Sequence, residues 1–186
     1  VSGTTTLIAR TPEDSIFGSW SATDSPGGTY ANNTDSWFRM PGSVNLSGRT
    51  GCALSYAMAL DTEWAFDFFV AEASADGSTW SELAAWHGTT DGDWYAFEDD
   101  LSDYDGDSSV FLRFGLETDG DTVEDGAHID GVDVREDPRD VRRGGEAADL
   151  RCASALQLGA YSISAARTDF RDSAQERRDR DSRDQP

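Results

Sequence analysis

Acidic side chains crowd one short corner of the chain, where Asp61 and Glu63 are followed closely by Asp67. Carboxylates held at a rigid turn are the groups that Ca²⁺ prefers, and the ion takes about six to eight oxygen ligands. The corner is therefore the stretch whose residue types point most directly to chemistry. The alternative is a set of turn formers and solvated carboxylates, because aspartate is abundant throughout the chain.

Two apolar runs flank this corner and would position it. Large side chains fall on every second residue before the corner and again just after it, where Asp67 would turn to the opposite face. Alternation over runs this short predicts β-strands with one buried face. A second turn at Asp76-Gly77 would lead into a third strand. The residues predicted to be buried are Leu54, Tyr56, Met58 and Leu60 before the corner, and Phe66, Phe68 and Val70 after it.

The net charge of −21 is concentrated in the first part of the chain. Residues 1–134 contain 25 acidic residues against four arginines and no lysine, whereas residues 135–186 contain 11 acidic residues and 11 arginines. Nucleic acid and anionic membrane surfaces bind clusters of lysine and arginine, so the acidic part would repel both. We expect no nucleic-acid partner, and because no run of 18 apolar residues is present, no membrane span.

Short strands at spacings near ten residues, separated by Asp/Gly/Ser/Thr clusters, predict an all-β fold. We expect an antiparallel β-sandwich of jelly-roll type, concanavalin- or galactose-binding-like, over residues 1–134. Residues 135–186 read as a charged tail with one short helix near 147–166 and disorder elsewhere, because they contain too few apolar residues to offset the ordering entropy. Cys52 and Cys152 allow one disulfide, but the sequence does not establish that they pair.

Four stretches in order resemble the MAM-like jelly-roll accessory domains of secreted bacterial and archaeal peptidases, both subtilisin-like and immune-inhibitor-A-type. The resemblance covers residues 17–134. It departs from the family pattern at Asn45 and Gly131, where the family usually has aspartate. The stretches are residues 23–33, residues 44–48, residues 54–80 with the Asp76-Gly77-Ser78-Thr79-Trp80 turn, and residues 100–132 ending in His128-Ile129-Asp130-Gly131-Val132.

A jelly roll can bring an early loop, the corner after a middle strand and the final strand to one place. Oxygen ligands from these three regions could then share one structural calcium ion. The predicted ligands are Asp24, Glu63, Asp67 and Asp130, with Asn32 or Asp61 as additions.

Catalysis has little support, because the only histidines, His87 and His128, lie in apparent strands without a nucleophile or metalloprotease motif. We expect no catalytic residues. The tryptophans Trp64, Trp80, Trp86 and Trp94 could line a binding platform, although strand tryptophans are more often core. Trp64 is the candidate ligand-binding residue, because it lies on the acidic corner out of step with the strand alternation.

We expect the chain to be a secreted, non-catalytic accessory domain of an exported protein, in the first instance a peptidase. The start at Val1 without a signal peptide fits a mature or excised fragment. It would bind a protein or polysaccharide substrate or the parent protein's catalytic domain, with calcium as a structural cofactor. The competing functions are a carbohydrate-binding module of a secreted hydrolase and an adhesion or surface-structural domain.

Overall fold

The computed structural model describes residues 9–136, and in this part the chain forms nine β-strands and one 3₁₀ turn. The predicted helix near 147–166, the predicted disorder of the tail and Cys152 lie outside the described residues. Within 9–136, no helix is long and apolar enough to cross a membrane. The strands are β1 Ala9–Thr11, β2 Ser21–Thr23, β3 Asp35–Arg39, β4 Cys52–Asp61, β5 Phe68–Ser74, β6 Ser81–Trp86, β7 Tyr95–Asp100, β8 Phe111–Glu117 and β9 Gly126–Glu136, with the 3₁₀ turn at Ser102–Tyr104.

The strands form two antiparallel sheets, one of five strands in the order β1-β2-β9-β4-β7 and one of four in the order β3-β8-β5-β6. Most consecutive strands lie in opposite sheets and do not pair with each other, so their connecting loops cross between the sheets at the two ends of the sandwich. The predicted antiparallel β-sandwich of jelly-roll type is thereby confirmed. Its last strand runs to Glu136, slightly beyond the predicted boundary at 134.

The core between the sheets follows the alternation in β4 and β8. Tyr56 lies at its centre, with its ring stacked on Phe97 at 5.5 Å and edge-on to Phe114 at 5.0 Å between ring centroids. The Trp86 indole N–H donates to the Tyr56 hydroxyl at 3.0 Å, so this buried phenol has a polar partner. The core members predicted from β4, Leu54, Tyr56, Met58 and Leu60, are confirmed.

The predicted alternation of β5 is wrong in its first residue and in its phase. Phe66 precedes the strand and is 47% exposed, whereas Asp67 is fully buried. Phe69, Ala71 and Ala73 face the main core, while Phe68 and Val70 pack with Ala85 and Trp37 on the other face of the sheet. Both faces of β5 are covered, so the pattern of large and small residues did not reveal which face points inward.

Candidate functional site

The acidic corner is a tight turn between β4 and β5. Thr62 N–H donates to the Gly88 carbonyl at 3.0 Å, and Asp67 N–H donates to the Glu63 carbonyl at 3.3 Å. Ala65 lies in the left-handed region with φ of 64°, a conformation that costs a non-glycine residue roughly 1–2 kcal/mol. The corner is therefore held by a hydrogen bond within the turn and by another to the loop after β6.

Three carboxylates meet at this corner. Oxygens of Glu63, Asp67 and Asp119 all lie within 4.8 Å of one another. The backbone N–H of Asp119 also donates to Asp67 Oδ1 at 2.7 Å, which fixes the loop after β8 against the start of β5. Two of the four predicted ligands, Glu63 and Asp67, are thus together, and the third member, Asp119, was not predicted.

The β5–β8 register explains why Asp119 joins the group. Phe68, the first residue of β5, pairs with Glu117, the last residue of β8. Asp67, one residue before this pair, and Asp119, two residues after it, therefore lie at the same end of the two strands. In the sequence, Asp119 reads only as part of an Asp-Gly-Asp loop, since the register of a non-local strand pair is not visible there.

The electrostatics of the group disfavour three ionised carboxylates side by side. Burial, reinforced by the neighbouring Asp119 and Asp67 charges, raises the pKa of Glu63, although a hydrogen bond from Thr122 partly opposes this. Glu63 Oε2 is inaccessible to solvent and has no hydrogen-bond partner in the described part of the chain. Burial together with the hydrogen bond to Asp67 also raises the pKa of Tyr30, whose hydroxyl accepts from Glu63 N–H at 3.1 Å.

Asp24, another predicted ligand, occupies a separate position under the first residues of β9. It is only 2% exposed, and its Oδ1 accepts from Ala127 N–H at 2.8 Å. Burial raises its pKa to about 6. The carboxylate fills space that a side chain at Gly126 would need, because a Cβ there would lie 2.5 Å from Asp24 Oδ2.

Asp130, the fourth predicted ligand, anchors the segment before β2. Its Oδ2 accepts from Phe17 N–H and its Oδ1 from Gly131 N–H, each at 2.7 Å. Neither Asp24 nor Asp130 belongs to the carboxylate group at the corner. Of the additional candidates, Asn32 donates to the Gly120 carbonyl at 3.0 Å, and Asp61 ends β4 in a bridge to Thr89.

Trp64 projects from the corner and is 65% exposed. One ring face nevertheless rests on the protein: the ring meets the His87 ring edge-on at 4.5 Å between centroids, and a Cβ on Gly88 would come within 2.8 Å of Trp64 Cε3. Phe66, two residues further along the same corner, is 47% exposed. The corner thus carries two exposed aromatic side chains.

The other candidate tryptophans have structural partners. Trp86 is buried against Tyr56, and the Trp94 indole N–H donates to Asp14 Oδ2 at 3.0 Å. Trp80 stacks on Arg113, whose guanidinium carbon lies 4.3 Å from the ring centroid, and the same guanidinium lies 3.8 Å from the Trp37 centroid. This aromatic–arginine stack was not predicted, because Trp37, Trp80 and Arg113 come from three separate strands or loops.

A serine, a histidine and a carboxylate do come together at the start of β9. His128 Nδ1 lies 3.4 Å from Ser21 Oγ, and His128 Nε2 lies 3.4 Å from Asp125 Oδ2. However, the Ser21 hydroxyl donates to the Asp14 carbonyl at 2.6 Å and so directs its proton away from His128. In an activated nucleophile the serine hydroxyl would instead donate its proton to the histidine. We therefore assign these contacts a structural role. The absence of catalytic residues stays a prediction.

The fold and this site define the chain as an antiparallel β-sandwich with a carboxylate-rich corner. No protein-family model matches the chain, and no curated protein matches it. Among solved structures, one on the promiscuous specificity of carbohydrate-binding modules of the β-sandwich superfamily aligns with a TM-score of 0.45 and 14% identity. The alignment covers 69% of this chain and 52% of that chain. This chain therefore spans about half of that structure, and a likeness at this level supports no conclusion about function.

Proposed function

We propose that the chain is a non-catalytic accessory domain of an exported protein, in the first instance a peptidase, whose binding end is stabilised by calcium. The observation that carries the proposal is the group of Glu63, Asp67 and Asp119 oxygens within 4.8 Å of one another. Ligands bound to one Ca²⁺ at about 2.3–2.6 Å can lie no further than about 5 Å apart. The group therefore has the size of a shared calcium shell.

The donor chemistry fits the same ion. A hard divalent cation prefers carboxylate oxygens, and Glu63 Oε2 is a buried acceptor that finds no donor within residues 9–136. The raised pKa of Glu63 has burial and the neighbouring carboxylates as its causes, and a cation would remove the repulsive part. Calcium at this point would tie the β4–β5 corner to the loop after β8, beside the exposed Trp64 and Phe66.

Comparing the melting temperature of the chain in calcium with that in a chelator tests whether the corner binds calcium. We expect calcium to raise the melting temperature of the full chain, because a ligand that binds only the folded state stabilises it, by about 2.7 kcal/mol at a hundredfold excess over Kd. Glu63→Gln should abolish the calcium shift yet be no less stable than the parent in chelator, since it relieves repulsion. Asp103→Asn, which removes an exposed carboxylate in the 3₁₀ turn, is the matched control and should keep the shift. A parent melting temperature unaffected by chelation refutes the calcium part.

The accessory role is tested through the neighbouring coding sequence. A secretion signal and a peptidase domain in the same reading frame would support it. A frame that encodes neither a hydrolase nor an export signal would contradict it.

A carbohydrate-binding module is the second candidate, and the exposure of Trp64 favours it. Indole faces stack on sugar rings with little loss of conformational entropy, and the contacts with His87 and Gly88 hold this ring in place. Polysaccharide pull-down with Trp64→Ala separates the two functions. Binding lost in Trp64→Ala but kept in Trp20→Ala, a control at another exposed tryptophan, would favour the sugar module, whereas no retention of the parent chain would exclude it for the polysaccharides used.

A further inference from the structure

A second acidic feature lies at the same end of the sandwich, on the five-stranded sheet. It is an open cleft of 890 Å³. It is lined by residues 59–61 at the end of β4, by residues 125, 126 and 128 at the start of β9, and by residues 13–14, 27–29 and 89–92. The cleft is distinct from the carboxylate group of Glu63, Asp67 and Asp119, none of which lines it.

The lining is strongly anionic. Hydrogen bonds from the Thr11 hydroxyl and from Gly27 N–H lower the pKa of Glu13, so this wall carries its charge at neutral pH. No arginine, tryptophan, tyrosine or phenylalanine lines the cleft in the described part of the chain, and its one ring, that of His128, lies beside Asp125 with Nε2 3.4 Å from Asp125 Oδ2. The five carboxylate-bearing residues of the lining are Glu13, Asp14, Asp61, Asp91 and Asp125.

Asp24 adds a further carboxylate directly behind this wall of the cleft. It is 2% exposed, and its Oδ2 has no hydrogen-bond partner in residues 9–136. That oxygen fills the space that a Cβ on Gly126 would need, and Gly126 lines the cleft. A buried carboxylate oxygen without a donor is costly, and a positive charge bound in the adjacent cleft would reduce that cost.

The size of the cleft favours guanidinium or ammonium groups over a metal ion. A metal ion needs a cage of only a few ångströms, whereas 890 Å³ lies in the range of pockets for drug-sized or peptidic ligands, about 300–1,000 Å³. Within residues 9–136, the acidic groups close enough to share a metal ion are those of the corner, not those of the cleft. Carboxylates spread around a wider space suit guanidinium and ammonium groups, which form charge-assisted hydrogen bonds with them.

We propose that the cleft between residues 13–14, 27–29 and 89–92 binds a basic segment of a polypeptide through its arginine or lysine side chains. The inference deepens the proposed function, since it rests on the chain being a protein-binding accessory domain and names the class of protein segment. The cleft then presents a basic region of a substrate or partner next to the exposed aromatic pair of the corner.

Fluorescence anisotropy with a labelled peptide of alternating arginine and glycine tests the proposal on the full chain. The matched ligand is the same peptide with citrulline in place of arginine, which keeps the shape and removes the charge. We expect the arginine peptide to bind, the citrulline peptide not to bind, and affinity to fall with added salt. Asp61→Asn/Asp91→Asn should weaken binding about tenfold, the effect of two partly exposed charge pairs.

The control variant Asp103→Asn/Asp107→Asn removes the same net charge from the other end of the molecule and should change affinity less than twofold. Equal weakening by both variants would mean non-specific attraction to an acidic protein and would overturn the proposal. Competition by spermine as effective as that of the arginine peptide would point to a small polycation and overturn the polypeptide assignment. Absence of peptide binding together with an intact calcium shift in melting would refute the cleft alone, whereas loss of both would also remove the proposed function.

Discussion

Replacing Asp24 by asparagine should make the stability of the protein less sensitive to pH. Asparagine keeps the shape of the side chain and an oxygen that can accept from Ala127 N–H, as Asp24 Oδ1 does at 2.8 Å. What it removes is a charge on a residue that is only 2% exposed. Burial is the main cause that raises the pKa of Asp24 from 3.8 to about 6, with Asp125 adding to it and His128 and the hydrogen bond from Ala127 opposing it.

The direction of the pH effect on stability depends on whether the folded or the unfolded chain holds the Asp24 proton more tightly. Asp24 has a higher pKa in the folded chain than in the unfolded chain, so between about pH 4 and pH 6 the folded state retains a proton that the unfolded state has lost. The free energy of unfolding therefore decreases as pH rises through this window and stays lower above it. A shift from 3.8 to about 6 corresponds to about 3 kcal/mol at 1.36 kcal/mol per unit.

Urea denaturation of the parent and of Asp24→Asn at pH 4, 6 and 8 measures this effect. The new amide N–H groups can cost stability at every pH, so the diagnostic quantity is the change in the difference between the two proteins. Because pH 4 already lies slightly above the unfolded pKa of 3.8, that difference should move by about 2.5 kcal/mol in favour of Asp24→Asn from pH 4 to pH 8. A difference that stays constant over this range would show that the folded state does not bury an ionised Asp24.

Asp76 provides a control of opposite sign. Hydrogen bonds from Thr79 and Ser78 N–H hold the pKa of its carboxyl well below the usual range. A lowered pKa contributes stability that is present above pH 4 and lost as pH falls. Asp76→Asn should therefore lose stability relative to the parent at pH 8 and approach it in acid, so the two variants diverge in opposite directions.

Two substitutions test packing on the outer faces of the strands, one in the arginine–tryptophan stack and one beside Phe17. Arg113→Lys should destabilise the protein by about 1 kcal/mol in urea denaturation, because lysine keeps the charge next to Glu72 but lacks the planar group that lies over Trp37 and Trp80; no change would mean that the stack contributes nothing beyond charge. Gly131→Ala should cost at least about 1–2 kcal/mol from its left-handed backbone, with φ of 62° and a Cβ that would lie 2.6 Å from Phe17 Cε2; an unchanged melting temperature would contradict the close packing of Phe17.

The sequence predicted the features that depend on local periodicity. In β4 the large residues Leu54, Tyr56, Met58 and Leu60 all reach the core, because one face of that strand is lined by small residues and the pattern has a single reading. Both strands are buried on both faces, but β5 has large apolar residues on each face, and the same reasoning assigned Phe66 and Asp67 to the wrong environments. Periodicity identifies a strand reliably, but it identifies the inward face only where the outward face differs from it.

Gly131 occupies a position in β9 whose backbone conformation favours glycine. The pairing of β4 with β9 shifts register between Ser55 and Ala57, opposite Asp130 and Asp133, and Gly131 in this bulge has a positive φ. Bulges of this kind favour glycine, and the Phe17 ring fills the space beside it.

The candidate site depends on the direction of each strand and on the register of the strand pairs, and neither can be read from the sequence. β4, β6 and β8 end at one end of the sandwich and β5 and β9 begin there, so the corner, the loop after β6 and the loop after β8 share that end. Hydrogen bonds join these three segments: Thr62 N–H donates to the Gly88 carbonyl, and Asp119 N–H donates to Asp67 Oδ1. Each loop is acidic by itself, but only strand pairing decides that Asp119 rather than Asp24 or Asp130 joins Glu63 and Asp67. The carboxylate group of Glu63, Asp67 and Asp119 and the acidic cleft beside it therefore follow from one cause, the convergence of acidic loops at a single end of the sandwich.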